Sequence, residues 1–177
     1  MPWSGVMQMA GSIAEAFLKE LNEETVVTRK VLARVPETKF GWKPHTKSFA
    51  MGRLAGHVAE MVSWVSDVVT KDRLDIGDAH RPENSRFDPQ SSAELLEKFD
   101  GWLEHSKKDL QSCTDEVMEQ EWVMTWNGYE VVRTARRHAI RKLVLNHHIH
   151  HRAQLGVYLR LNDVPVPGAY GPSADEQ

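Results

Sequence analysis

The stretch from Ile140 to Tyr158 reads IRKLVLNHHIHHRAQLGVY and carries histidines at positions where a helix usually has leucine. Side chains three and four residues apart lie on one face of a helix. One such face carries Ile140, Leu143, His147, His151, Gln154 and Tyr158. We therefore expect His147 and His151 on the core-facing stripe of the last helix.

A second segment, from Met51 to Val69, has a histidine in the same kind of position. In a helix, one face of this segment carries Leu54, His57, Met61, Trp64 and Val68. His57 is thus predicted to point where apolar side chains point. Three imidazoles on two core-facing stripes indicate a metal site, because neutral imidazole is a common ligand of divalent cations.

The bulk composition limits the classes of function. A chain of 177 residues is about one domain, which we assign to residues 1–177. A net charge of -3 and the lack of a dense Lys/Arg cluster argue against a nucleic-acid partner. No apolar run approaches the roughly 20 residues that span a bilayer, so no membrane association is expected. The single cysteine, Cys113, fits a reducing compartment, and we expect a cytoplasmic protein with an inert thiol.

Four segments carry the 3.6-residue period, whereas strand patterns are almost absent. The predicted helices span about 12–35, 49–70, 91–112 and 132–161. The third begins with a capping box formed by Ser91 and Glu94. In the link from 113 to 131 we expect no more than a short extended turn. The predicted fold class is all-α, a four-helix bundle.

The length of the second link indicates the topology of this bundle. About 19 residues, 71–89, reach on the order of 60 Å when extended, whereas the helix before them is about 33 Å long. The link can return along the bundle, which predicts an up-down-down-up topology with a long crossover between helices two and three. His57 lies about 12 Å from the start of helix two, and His151 about 15 Å from the end of helix four. Antiparallel packing of these helices would bring the two histidines level.

The histidine spacing favours one mononuclear site for a divalent zinc, nickel or iron ion. His147 and His151, four residues apart, can converge on one ion, with His57 as the third ligand. Three protein ligands leave an open position at which water can be activated. The alternative is that each imidazole is a core residue satisfied by a backbone carbonyl or a buried water. Three histidines at matched heights favour the metal.

Glu60 follows His57 by one helical turn. It could accept a hydrogen bond from a ligand histidine, or act as the catalytic general base toward an activated water. A solvated surface carboxylate is the third interpretation. Helix four has no Glu-x-x-His pair of the kind that dinuclear bundles use, so a two-metal site is not expected.

Other polar residues flank the predicted ligands on helix four. His148 turns off the stripe and is expected to face solvent. His150 is expected to contact a subunit neighbour or a group that orients a ligand. Arg152 and Gln154 could orient an anionic or amide-bearing substrate, or pair with the C-terminal tail.

These stretches resemble the signatures of a known family. The sequence NHHIHHRAQL at 146–155, continuing to PVP at 165–167 and YGPS at 170–173, looks like the closing signature of the DinB family. The sequence MGRLAGHVAE at 51–60 resembles its second signature. The likeness covers about residues 12–173.

The resemblance is to damage-inducible DinB/YfiT-like metalloenzymes, and it implies a fold and a ligand set. It implies an up-down-down-up bundle with a long crossover, frequent homodimers, and a metal held by His57, His147 and His151. Relatives in the wider superfamily are metal-dependent transferases or isomerases that use low-molecular-weight thiols, and some members are described as hydrolases.

Three functional hypotheses follow. The first is a metal-dependent hydrolase or thiol-dependent transferase that acts on a small-molecule substrate or a low-molecular-weight thiol at the open metal position. The second is a stress-related binding protein that holds a metal or small ligand without turnover. The third is a helical homodimer whose histidines have lost any function.

Overall fold

The computed structural model describes residues 11–77 and 86–176, and their secondary structure is mostly helical. The α-helices are α1 Ser12–Leu32, α2 Met51–Glu60, α3 Trp64–Thr70, α4 Ser92–Gln111, α5 Asp115–Glu119, α6 Arg136–Ala139 and α7 Asn146–Arg160. The strands are β1 Arg73–Asp75, β2 Glu121–Trp126 and β3 Tyr129–Ala135. Residues 78–85 of the expected crossover lie outside the described residues.

The helices lie close to the predicted segments, with one interruption. The capping box at the start of α4 is confirmed, because the backbone N–H of Glu94 donates to Ser91 Oγ at 3.0 Å. The Glu94 carboxylate in turn accepts the N–H of Gln90 at 2.7 Å, which satisfies a second amide at the helix start. The predicted second helix is divided into α2 and α3 by a 3₁₀ turn at Met61–Ser63.

The all-α prediction is wrong in one region, where a three-stranded sheet forms in the order β1-β2-β3. Strand β1 runs parallel to β2, and β2 pairs antiparallel with β3. Asn127 and Gly128 form the hairpin turn with φ values of 49° and 82°, the left-handed backbone that Asn-Gly favours there. The last helix therefore begins at Arg136 instead of residue 132, because the residues before it belong to β3.

A π-helical turn at Ile140–Leu145 leads into α7 and changes which of its residues face the core. The buried positions of α7 are His148, Arg152, Leu155 and Leu159. His147 and His151 are only partly buried, so the predicted core stripe is off by one residue. The wider π turn takes one extra residue, and a regular 3.6-residue period cannot anticipate that shift.

The long helices share one apolar core. Its fully buried side chains include Leu32, Leu54, Met61, Leu95, Phe99, Ile140, Leu155 and Leu159. Polar contacts also connect the helices. Arg29 Nε of α1, for example, donates to Asp100 Oδ1 of α4 at 2.9 Å. Within the two described ranges, no helix is both long enough and apolar enough to cross a bilayer.

Candidate metal centre

Three imidazoles meet between α2 and α7. His57 comes from α2, and His147 and His151 come from successive turns of α7. One ring nitrogen of each lies within 4.8 Å of the other two. The four-residue spacing places His147 and His151 on one face of α7. Helix α2 packs against that face and contributes His57. The structure thus brings together the three histidines that the sequence singled out.

Hydrogen bonds fix the orientation of two of these rings. His57 Nδ1 donates to Glu60 Oε1 at 2.7 Å, and His151 Nδ1 donates to Gln154 Oε1 at 2.8 Å. Because carboxylate and amide oxygens only accept, Nδ1 of each ring carries a proton. Nε2 of each ring is then the atom whose lone pair can bind a metal.

The remaining nitrogens have the spacing of a chelate. Nε2 of His147 lies 2.8 Å from Nε2 of His151. Two imidazole nitrogens bound to one tetrahedral ion stand roughly 3.3 Å apart, given bonds of about 2.0 Å. A small rotation of either ring converts the observed contact into that geometry. The donor set therefore fits a zinc-type ion.

The electrostatics of the site favour neutral imidazoles. Burial lowers the pKa of His147, and nearby His57 lowers it further, against a hydrogen bond with the backbone of Leu143 that raises it. Burial, with a further contribution from His57, lowers the pKa of His151 to about 4. Both rings are thus uncharged at neutral pH. That is the form in which histidine binds a cation.

Glu60 is held by three donors. Its Oε1 accepts from His57 and from Arg53 Nη2, the latter at 2.8 Å, and its Oε2 accepts the Phe87 N–H at 2.9 Å. Burial raises the pKa of Glu60, but the hydrogen bonds from His57, Arg53 and Phe87 outweigh it and keep the pKa below its usual range. The ionised carboxylate thus orients a predicted ligand, which favours the first interpretation of Glu60 over a solvated one.

Gly56 allows the chain at Phe87 to approach this carboxylate. A Cβ at position 56 would lie 2.1 Å from the Phe87 carbonyl oxygen, so only glycine fits there. The same carbonyl accepts from Arg53 Nη1 at 3.1 Å. Sequence reasoning did not identify Arg53 or Phe87 as partners of Glu60. A glycine inside a helical pattern was the available sign of a close backbone contact.

The expected exposure of His148 is wrong. Its side chain is buried, and its Nε2 lies 2.7 Å from Thr28 Oγ1 on α1. Burial lowers the pKa of His148 to about 3, and the charge of Arg152 contributes. The π turn before α7 rotates position 148 toward the core, which explains the error.

The other flanking residues also have defined contacts. Arg152 Nη2 pairs with Glu24 Oε2 at 2.7 Å and donates to the Tyr170 hydroxyl at 2.7 Å. Arg152 is therefore the pairing partner of the tail, the second of its two predicted roles. Gln154 orients His151, and its Nε2 lies 3.0 Å from Nε2 of the exposed His150. His150 thus contacts a group that orients a predicted ligand.

Aromatic side chains enclose one side of the cluster. The Trp64 ring centroid lies 5.7 Å from that of His57 and 5.7 Å from that of His147. Phe49 lies 6.1 Å from His57 by the same measure and is 45% exposed. An apolar wall of this kind strengthens electrostatic interactions within the site by lowering the local dielectric.

A mostly helical fold with three histidines clustered between two helices defines the class of protein: a helical protein with a candidate metal centre. The chain belongs to the DinB family, whose family model matches residues 7–177.

The curated and solved relatives share this fold at low sequence identity. The chain is 23% identical over 154 residues to the uncharacterized protein YjoA of Bacillus subtilis strain 168, covering 87% of this chain and 91% of that protein. It is similar to a solved DinB-like protein from Bacillus cereus, with a TM-score of 0.68, 21% identity and coverage of 88% and 97%. The solved structure of YjoA gives a TM-score of 0.65 at 17% identity, with coverage of 92% and 99%.

Proposed function

We propose that this protein is a metal-dependent enzyme, a hydrolase or a thiol-dependent transferase, in which His57, His147 and His151 hold one divalent ion. The observation that carries the proposal is the convergence of three ring nitrogens within 4.8 Å. When bound, zinc, nickel or iron would supply a Lewis acid that activates a water or a thiol and polarises the substrate.

The chain's own residues would prepare the site for this chemistry. Glu60 and Gln154 keep the protons of His57 and His151 on Nδ1 and hold the rings in position. The Trp64 ring lies against His57 and His147 and gives the cluster an apolar side. Glu60 is the proposed positioning residue. Its alternative role as the catalytic base requires Oε1 or Oε2 to exchange a present hydrogen bond for one to the reacting proton.

A second candidate is a stress-related binding protein that holds a metal or small ligand without turnover. A saturated coordination shell, with a protein oxygen in the fourth position, would favour it, because no position would then be open to a reacting water or thiol. The third candidate, a helical dimer with functionless histidines, predicts that no metal binds.

Elemental analysis of the untagged protein tests the proposal, beside a variant in which His57, His147 and His151 are all replaced by alanine. We expect about one equivalent of metal in the native chain and none in the variant. Metal-loaded protein would then be screened against ester, amide and thiol-conjugation substrates. No metal in either chain after reloading contradicts the metal site. Metal without turnover favours the binding protein.

We also propose the up-down-down-up bundle for the four long helical segments. Contacts between distant residues support it, since residues later in one helix meet residues earlier in its antiparallel neighbour. The pairs are Arg29 with Asp100, Val35 with Ser92, His57 with His151, and Val68 with Arg136. The first two pairs relate α1 to α4, and the last two relate α2 and α3 to α6 and α7.

The expected single domain, homodimer and cytoplasmic location are proposed with this function. The single cysteine supports a reducing compartment. Light scattering during size-exclusion chromatography measures the oligomeric state, and a monomeric mass at micromolar concentration contradicts the dimer.

A further inference from the structure

A cavity of about 760 Å³ extends along α2 and α3 and includes one of the proposed metal ligands. His57 and Glu60 line it near the triad, and Trp102 of α4 and Trp126 of β2 line it farther along the chain. Its volume lies in the range of small-molecule sites, roughly 300–1,000 Å³. A molecule in this cavity would lie beside the proposed metal centre.

Aromatic rings form much of the cavity wall. Trp64, Phe87, Trp102 and Trp126 all line it. Phe87 and Trp102 pack edge to face with ring centroids 5.2 Å apart, which holds both rings in a fixed orientation. Flat, rigid apolar surfaces of this kind favour a ligand with a flat apolar body.

The acidic residues of the cavity wall already have cationic partners. Glu60 pairs with Arg53 at 2.8 Å, Asp67 pairs with Lys71 at 2.8 Å, and Asp88 lies 3.9 Å from Arg53. These three carboxylates share two cations, Arg53 and Lys71, so one negative charge in the set is left unmatched. An anionic ligand is repelled less by paired carboxylates than by free ones.

Two further cations line the same cavity, Arg86 and Lys98. Among residues 11–77 and 86–176, neither of them forms an ion pair. Among the described residues of the wall, the four Lys and Arg side chains outnumber the three carboxylates by one, although the whole chain has a net charge of -3. An unmatched cation beside an apolar wall is a site where a carboxylate or sulfonate gains an ion pair.

We propose that this cavity binds an anionic small molecule with a flat apolar body, and that Lys98 and Arg86 recognise its negative charge. The inference deepens the proposed function, on which it rests for the role of the adjoining triad. The substrate of that site would then be an aromatic or similarly flat anion.

A matched pair of probes tests the charge requirement, with binding to the untagged, metal-loaded chain measured by calorimetry. 2-Naphthoate carries a carboxylate, and 2-naphthamide has nearly the same shape without the charge. We expect naphthoate to bind roughly twofold to fivefold more tightly, the effect of one exposed ion pair. We also expect this difference to shrink as salt concentration rises. Equal affinity for the two probes overturns the proposal.

Variants on one helix locate the binding site. Lys98→Gln should weaken naphthoate binding about twofold to fivefold and leave naphthamide binding unchanged. Lys107→Gln is the matched control, because Lys107 lies on the same helix, pairs with Glu104 and does not line the cavity. Trp102→Leu should weaken both probes by removing an aromatic wall. Unchanged naphthoate binding in Lys98→Gln overturns the assignment, whether or not Trp102→Leu folds.

Metal content measured on the same samples separates this inference from the proposed function. Naphthoate-selective binding in a chain that takes up no metal would support the cavity and contradict the metal-dependent enzyme. Metal uptake without selective naphthoate binding would support the metal centre and overturn the cavity proposal.

Discussion

Glu60 Oε1 lies 2.7 Å from Nδ1 of His57, one turn earlier on α2, and this contact leaves Nε2 as the ring nitrogen that can bind a metal. The carboxylate is itself fixed by Arg53 and by the Phe87 amide. Carboxylates that hold metal-binding imidazoles in this way set both ring orientation and ligand basicity.

Replacing Glu60 by glutamine should lower metal affinity about 10- to 100-fold, because an amide holds the His57 proton less strongly than a carboxylate does. Competition with a chromophoric chelator measures the dissociation constant. Glu104→Gln on α4 is the control, since Glu104 is exposed and pairs with Lys107, away from the histidines. Unchanged metal affinity with lost turnover would instead identify Glu60 as the catalytic base.

Thr28→Val should destabilise the metal-free protein by about 1–3 kcal/mol. The substitution keeps the side-chain shape but removes the hydroxyl that contacts the buried His148 at 2.7 Å, and a buried polar group without a partner is costly. Urea unfolding followed by circular dichroism measures the change. Thr28→Ser retains the hydroxyl and should cost less. Equal stability of the Val variant and the native chain would contradict this role of Thr28.

Gly56→Ala should destabilise the protein by about 1–3 kcal/mol, because its Cβ would collide with the Phe87 carbonyl oxygen. Gly101→Ala is a matched control in the interior of α4, where an added Cβ meets no described atom within 4 Å. That substitution should stabilise the protein by about 0.5–1 kcal/mol through helix propensity. Thermal unfolding of both variants compares them directly. The same sign of effect at both positions would refute the close approach of Phe87.

Cys113 should resist alkylation in the folded protein. Its side chain is 5% exposed, and burial together with Asp115 raises its pKa against the opposing effect of Arg136. A raised pKa means less thiolate at pH 8, about tenfold less for each unit. Iodoacetamide labelling followed by mass spectrometry should therefore be slow in the native chain and fast in guanidinium chloride. Fast labelling of the native chain would show that the thiol is accessible and reactive.

Local pattern was sufficient for the long helices and for the three clustered histidines. Ser91 and Glu94 cap α4 as predicted, because capping depends on neighbours within one turn. Only a short extended turn was predicted around Asn127 and Gly128, although they are a typical hairpin pair, because the predicted helix from residue 132 covered the second half of β3. His148 was misassigned because one π turn shifts every later position, and a constant period contains no information about such a turn.

Spacing within single helices was enough to predict the helical segments and to select His57, His147 and His151. The orientation of those rings follows from the tertiary structure, because their contacts join segments far apart in the chain. Phe87 reaches Glu60 across 27 residues, and Thr28 reaches His148 across 120. Such contacts form where packing of the core brings the helices together, and no local preference specifies them.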